Sequence, residues 1–94
     1  MATFLAIGKY TPEALKGMSA PRTQQALDLL KQFGGEVQGI YATLGENDLV
    51  CIADFPNVGQ AMKGSVALTK LTGIRFSTVP AVPVDEFDKL MSEV

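Results

Sequence analysis

Apolar residues fall on both parities of the segments that read as strands. In Thr3 to Tyr10, Leu5 and Ile7 alternate with Phe4, Ala6, Gly8 and Tyr10; in Leu49 to Phe55, Val50 and Ile52 alternate with Leu49, Cys51, Ala53 and Phe55. A sheet apolar on both sides needs a cover on each. Helical spacing occurs mainly in two places. After Ser19-Ala20-Pro21, the residues Ala26, Leu27, Leu30 and Phe33 recur every three or four positions until Gly34-Gly35. After Asn57, a helix-capping residue, Val58, Ala61, Met62, Ser65, Leu68, Leu71 and Thr72 keep the helical period up to Gly73. Two such helices cover one face of a sheet, so the pattern predicts that the second face is closed by another copy of the chain.

The remaining elements follow from local signals. Thr11-Pro12-Glu13 supplies a capping hydroxyl, a first-turn proline and an acid, which predicts a short helix weakened at Gly17. Glu36 to Leu44 and Asp48 to Phe55 are rich in Val, Ile, Tyr and Leu, and Gly45-Glu46-Asn47 between them predicts a hairpin. Ile74 to Val79 reads as the fourth strand, stopped by Pro80 and Pro83. Val84, Phe87, Leu90 and Met91 mark an amphipathic terminal helix with Asp85 and Glu86 in its first turn. Gly64 within the long helix points to a close approach of helix and sheet. The order is β-α-β-β-α-β plus a terminal helix, and right-handed crossovers put both main helices on one side. The fold class expected is α+β: a ferredoxin-like plait with an antiparallel four-stranded sheet, one domain over residues 1–94.

Ser19-Ala-Pro-Arg22 opens the main helix, Gly34-Gly35 ends it, and strand two leads through Tyr41 into Gly45-Glu46-Asn47-Asp48-Leu49-Val50. In these features the chain resembles the GYD-domain family, whose hairpin pattern is Gly, one variable residue, Tyr, Asp and an apolar strand. Gly45 and Asp48 match that pattern, and Asn47 stands where the family usually has tyrosine. Asparagine fits a turn because it tolerates left-handed φ. The resemblance implies the same plait, similar to the dimeric α/β-barrel group in which two sheets pack face to face, and it carries no assigned reaction.

Composition narrows the chemistry. At 94 residues, with 47% hydrophobic and 19% charged, the chain lies near the ordinary globular range, which argues against disorder and coiled coil. The net charge of −2 and eight scattered basic residues argue against a phosphate-tracking surface, so no nucleic-acid partner is expected. Tyr10, Tyr41 and Phe76 as stacking platforms lack the accompanying basic-aromatic pattern. The start has no basic stretch of a secretory signal and no run approaches membrane-spanning length; a cytoplasmic, non-membrane protein is expected. One cysteine, Cys51, precludes an internal disulfide and reads as a buried, inert thiol.

The chain has no histidine, which removes the commonest general base, the serine and cysteine relays that use it, and most zinc sites. No catalytic residue, metal or cofactor is therefore assigned. Asp48 and Glu46 read as turn residues rather than a catalytic pair. Gly35-Glu36-Val37-Gln38-Gly39-Ile40 lacks the arginine a phosphate-gripping loop would need, and Gly34-Gly35 lacks the lysine of a nucleotide loop. Lys9, Arg22 and Arg75 are the cations available to an anionic ligand. Tyr10, Arg22, Tyr41 and Asn47 are the candidate ligand-binding residues, with any pocket between two sheets expected near Tyr10, Tyr41 and Asn47. The seam itself is expected to use Phe4, Ala6, Tyr41, Cys51 and Phe76. Two functional classes result: a homo-oligomeric small-ligand or partner-binding module, dimeric or higher, and a cofactor-independent enzyme acting on a small apolar or aromatic substrate. A pocket of several hundred Å³ holding a converging tyrosine and carboxylate would favour the enzyme, and a seam filled by side chains the module.

Overall fold

A computed structural model describes all 94 residues. The elements are β1 (Ala2–Lys9), α1 (Pro12–Lys16), α2 (Ala20–Gln32), β2 (Glu36–Ala42), β3 (Leu49–Phe55), α3 (Val58–Thr72), β4 (Arg75–Ala81) and α4 (Val84–Met91). This is an α+β chain with one antiparallel four-stranded sheet, ordered β2-β3-β1-β4, and four helices. None of the helices is long and apolar enough to cross a membrane.

The helix starts form for the reasons the sequence gives. Thr11, Ser19 and Asn57 each accept an amide hydrogen bond through the side chain, from Ala14, Arg22 and Gln60 respectively, which satisfies one of the free N–H groups of a first turn. Gly73, at φ 75°, ends α3 in the left-handed region open to glycine. Strand β4 runs two residues past its expected end at Val79, with Pro80 opposite Phe4. It is an edge strand, where a residue without an N–H is tolerated. In the hairpin, Gly45 takes the positive φ (125°) and Asn47 does not, contrary to expectation. Asn47 contributes its carbonyl, which accepts from the Thr43 hydroxyl at 2.7 Å.

The core lies between the sheet and α2 and α3. Phe4, Ala6, Cys51, Ala53 and Phe55 from the strands meet Leu30 of α2 and Ala61 and Leu68 of α3. Four of the five residues expected in the intersubunit seam, Phe4, Ala6, Cys51 and Phe76, therefore belong to the helix-covered side, Phe76 as a partly buried neighbour of the core. Alternation separates two faces without saying which of two apolar sets the helices will choose. The α3 stripe is also narrower than its period implied: Ala61, Gly64, Leu68 and Thr72 are buried, whereas Val58, Met62 and Leu71 are exposed.

Small residues line that stripe because Phe55 stands against it. A Cβ on Gly64 would come within 3.1 Å of the Phe55 ring and 3.2 Å of Leu30 Cδ2. Gly64→Val is expected to cost about 1–3 kcal/mol by overpacking, despite removing a helix-interior glycine. Urea denaturation reads this as a lowered midpoint at unchanged slope.

Candidate functional site

Two surfaces can act on something outside the chain: the uncovered side of the sheet and a cleft beneath α2.

The uncovered side is set by strand register. Leu5 pairs with Ile52 and Val79, and Ile7 pairs with Val50 and Ser77, so Leu5, Ile7, Val50, Ile52 and Val79 form a contiguous apolar centre. A β-bulge between Val37 and Gly39 shifts the end of β2 by one position. It places Tyr41 beside Val50 on this side and turns Ile40, opposite Cys51, toward the helices. The Tyr41 ring lies over Gly39, where a Cβ would be only 3.0 Å from Tyr41 Cε2. Tyr41, 60% exposed, thus extends the apolar centre as a flat ring.

The two ends of this face differ in charge. At one end Asp54 lies opposite Glu36 and accepts from the Thr3 hydroxyl at 2.6 Å and from the Gln38 amide. At the other, Lys9 lies opposite Arg75. The long helices α2 and α3 lie on its other side, and α4 has no buried residue and no extensive contact with another element.

The cleft lies on the opposite side of the sheet, where the N-terminal half of α2 stands off the strands. Its volume is about 80 Å³. Leu27, Ile40, Leu49, Cys51 and Phe76 supply apolar walls, with Met18 at one end. Phe76 takes its place because β1 has Gly8 opposite it; a Cβ there would approach the ring to 2.8 Å.

Of the four residues expected to bind a ligand, Tyr10 and Arg22 share this cleft. Tyr41 is on the other face of the sheet and Asn47 is exposed in the hairpin turn, and neither lines it. Arg22 Nη1 donates to the Ala14 carbonyl at 2.6 Å, tying the end of α1 to the start of α2. A guanidinium has five N–H donors, so that strap leaves others for a ligand. The Tyr10 amide donates to Asp48 Oδ2 at 2.9 Å, and the Asp48 amide donates to the Gly8 carbonyl at 2.9 Å. Asp48 thus pins the hairpin to the end of β1, a longer-range role than the turn contact expected of it. No carboxylate lines the cleft.

Sequence reasoning missed Met18, Leu27 and Ile40 as lining residues. The available signal was a surplus of apolar residues near the start of α2 beyond those the core uses, while Ile40 depends on a bulge that no residue pattern announces.

Cys51 is 4% exposed, and burial raises its thiol above the ordinary value. Folding therefore favours the neutral thiol. Its contribution to stability is unchanged below the unfolded-chain value and falls as pH rises through and above that value. In the native protein at neutral pH, an aromatic disulfide reagent is expected to modify Cys51 only at the rate of global opening; rapid stoichiometric modification would contradict this.

A small antiparallel α+β domain with a side cleft and one bare apolar sheet face is the class these features define. The GYD domain model matches residues 4–91, nearly the whole chain. The chain belongs to the GYD-domain family. No curated protein matches it. Among solved structures, it is similar to the Mycobacterium tuberculosis leucine response regulatory protein LrpA, with 16% identity and a TM-score of 0.56. The match covers 87% of this chain and 50% of that one, so this chain corresponds to half of the regulator's length. The likeness is one of fold and is consistent with a ferredoxin-like arrangement.

Proposed function

We propose that this ferredoxin-like plait is a homo-oligomeric module that binds a small ligand: two copies close their bare sheet faces on each other, and each holds a short aliphatic carboxylate beneath α2. The observation that carries the reading is the apolar centre Leu5, Ile7, Val50, Ile52 and Val79 on a face that no helix covers. Soluble domains rarely leave such a patch bare. Its polar ends support a second copy as the cover. A two-fold axis that reverses strand direction lays Lys9 and Arg75 of one copy over Asp54 and Glu36 of the other.

The ligand class follows from the cleft. About 80 Å³ between apolar walls suits a branched chain of a few carbons, and Arg22 at the same site suits a carboxylate. The fold likeness to a protein named for a leucine response supports a regulatory role for such binding. A cofactor-independent enzyme has less support, because the Asp48 carboxylate is engaged by the Tyr10 amide rather than by a phenol.

The test is an NMR titration of the intact protein with isovalerate and with isoamyl alcohol, its neutral counterpart. The carboxylate is expected to bind about ten-fold or more tighter, shifting Ile40, Leu49 and Phe76 together, and Ala26→Phe, which fills the cleft, is expected to abolish the shifts. Equal affinity for the two compounds, or shifts confined to the opposite face, would contradict the reading.

A further inference from the structure

Helix α4 is an amphipathic helix that buries none of its residues. Phe87, Met91, Val84 and Leu90 share one side, all are exposed, and Phe87 remains 47% accessible. At 100° per residue, Glu86 and Asp88 border this stripe on its two sides. Residues 84–94 carry Asp85, Glu86, Asp88 and Glu93 against Lys89 alone.

Elsewhere on the chain is a surface of the opposite character. On α3, Val58, Met62 and Val66 form an i, i+4 ridge that is exposed, Met62 at 65%. Between this ridge and β4 runs a groove of about 340 Å³ lined by Phe4, Thr78 and Pro80 as well. Lys63 and Lys70 flank the ridge on the side away from β4, and α3 has no acidic residue. The groove thus offers apolar contacts with positive charge on one edge only, beyond the α3 ridge, and α4 offers apolar contacts edged by negative charge.

We propose that α4 of one chain docks in the α3–β4 groove of a second copy, Phe87 and Met91 against Met62 and Val66, with the acidic flank of α4 that faces α3 meeting Lys63 and Lys70. Both partners present i, i+4 ridges, which interdigitate in the commonest class of helix packing. The occupant is a second copy because α4 follows β4 after only Val82 and Pro83 and already stands clear of its own α3. Exchange in both directions gives two equal contacts related by a two-fold axis. This contact uses neither the bare sheet face nor the cleft, so it is independent of the function proposed above.

Charge exchange tests it in the full-length chain. One variant carries Lys63→Glu and Lys70→Glu, the other Glu86→Lys and Asp88→Lys, both with Leu5→Asp to remove the sheet contact. Each alone has like charges across the groove and is expected to stay monomeric in native mass spectrometry. Mixed, the two have opposite charges in both exchanged contacts and are expected to form a one-to-one heterodimer at least about ten-fold tighter than either self-association. Absence of the heterodimer in a mixture of two folded variants overturns the proposal. So does recovery only when all four changes are placed in one chain, which would mean that α4 folds onto its own α3. Failure of the sheet-face reading is seen separately, as no change in stoichiometry from Leu5→Asp alone.

Discussion

Leu5→Asp is expected to break the sheet-face assembly while leaving each subunit folded. Leu5 lies between Ile52 and Val79 at the centre of the uncovered face, so a single chain leaves its replacement carboxylate in water. In a closed seam the same carboxylate would be buried with no partner, because the nearest cations, Lys9 and Arg75, are at the end of the face. A buried unpaired charge costs several kcal/mol, about 3–5 when one partner of an ion pair is lost, which weakens association by about two to four orders of magnitude. Sedimentation velocity should show the variant at a lower mass than the native chain, and at monomer mass when Lys63→Glu and Lys70→Glu remove the α4 contact as well, with an unchanged far-ultraviolet circular dichroism spectrum. Ala6→Asp, one residue along and in the core, should instead unfold the chain.

Among truncations of core side chains, Phe55→Ala is expected to produce the largest loss of stability. Phe55 is 4% exposed and meets Phe4 edge-on, with ring centroids 6.0 Å apart and an interplanar angle of 72°. A Cβ on Gly35 or Gly64 would fall 2.7 or 3.1 Å from its ring, so glycine backbone stands where side chains usually would. When the ring is removed, those glycines have no side chain with which to refill the space. Truncation of a buried phenylalanine costs about 3–5 kcal/mol, against about 5–15 kcal/mol for a whole domain. For a chain of this size the melting temperature should fall by roughly 15–30 °C. A fall of only a few degrees would mean that the core collapses around the void.

The elements were legible because their signals are local. A capping hydroxyl at Thr11 or Ser19, a glycine at Gly73 and an apolar period each act within a few residues. The two-sidedness of the sheet was legible for the same reason: alternation along β1 and β3 is counted from the chain itself. The choice of face was not. Phe4 and Leu5 are equally apolar, and what puts Phe4 inside is its fit with Phe55 and Leu30, residues far away in sequence. The bulge at Gln38 is the second gap. Without it, Ile40 and Tyr41 would exchange faces and Tyr41 would point toward the helices, so one unpaired residue decides which surface each serves. Tyr10 and Arg22 line one cleft because the end of β1 and the start of α2 are adjacent in space, whereas Tyr41 and Asn47 follow the hairpin away from them.

The two apolar surfaces outside the core differ in what they demand. The sheet face has an acidic end and a basic end, an arrangement that a copy of itself would complement. The α3 ridge and the α4 stripe differ in charge and match each other. Assembly through both would use most of the exposed large apolar residues in the regular elements, leaving Leu15, Ile40 and Leu71.

Sedimentation equilibrium of the unaltered chain, followed by dilution to nanomolar concentration with fluorescence detection, tests the central claim most directly. Closure of the bare sheet by a second copy predicts a mass of at least two chains at micromolar concentration, with folding stability that rises with protein concentration. A single-chain mass at every concentration, together with a full set of native amide signals, would contradict it.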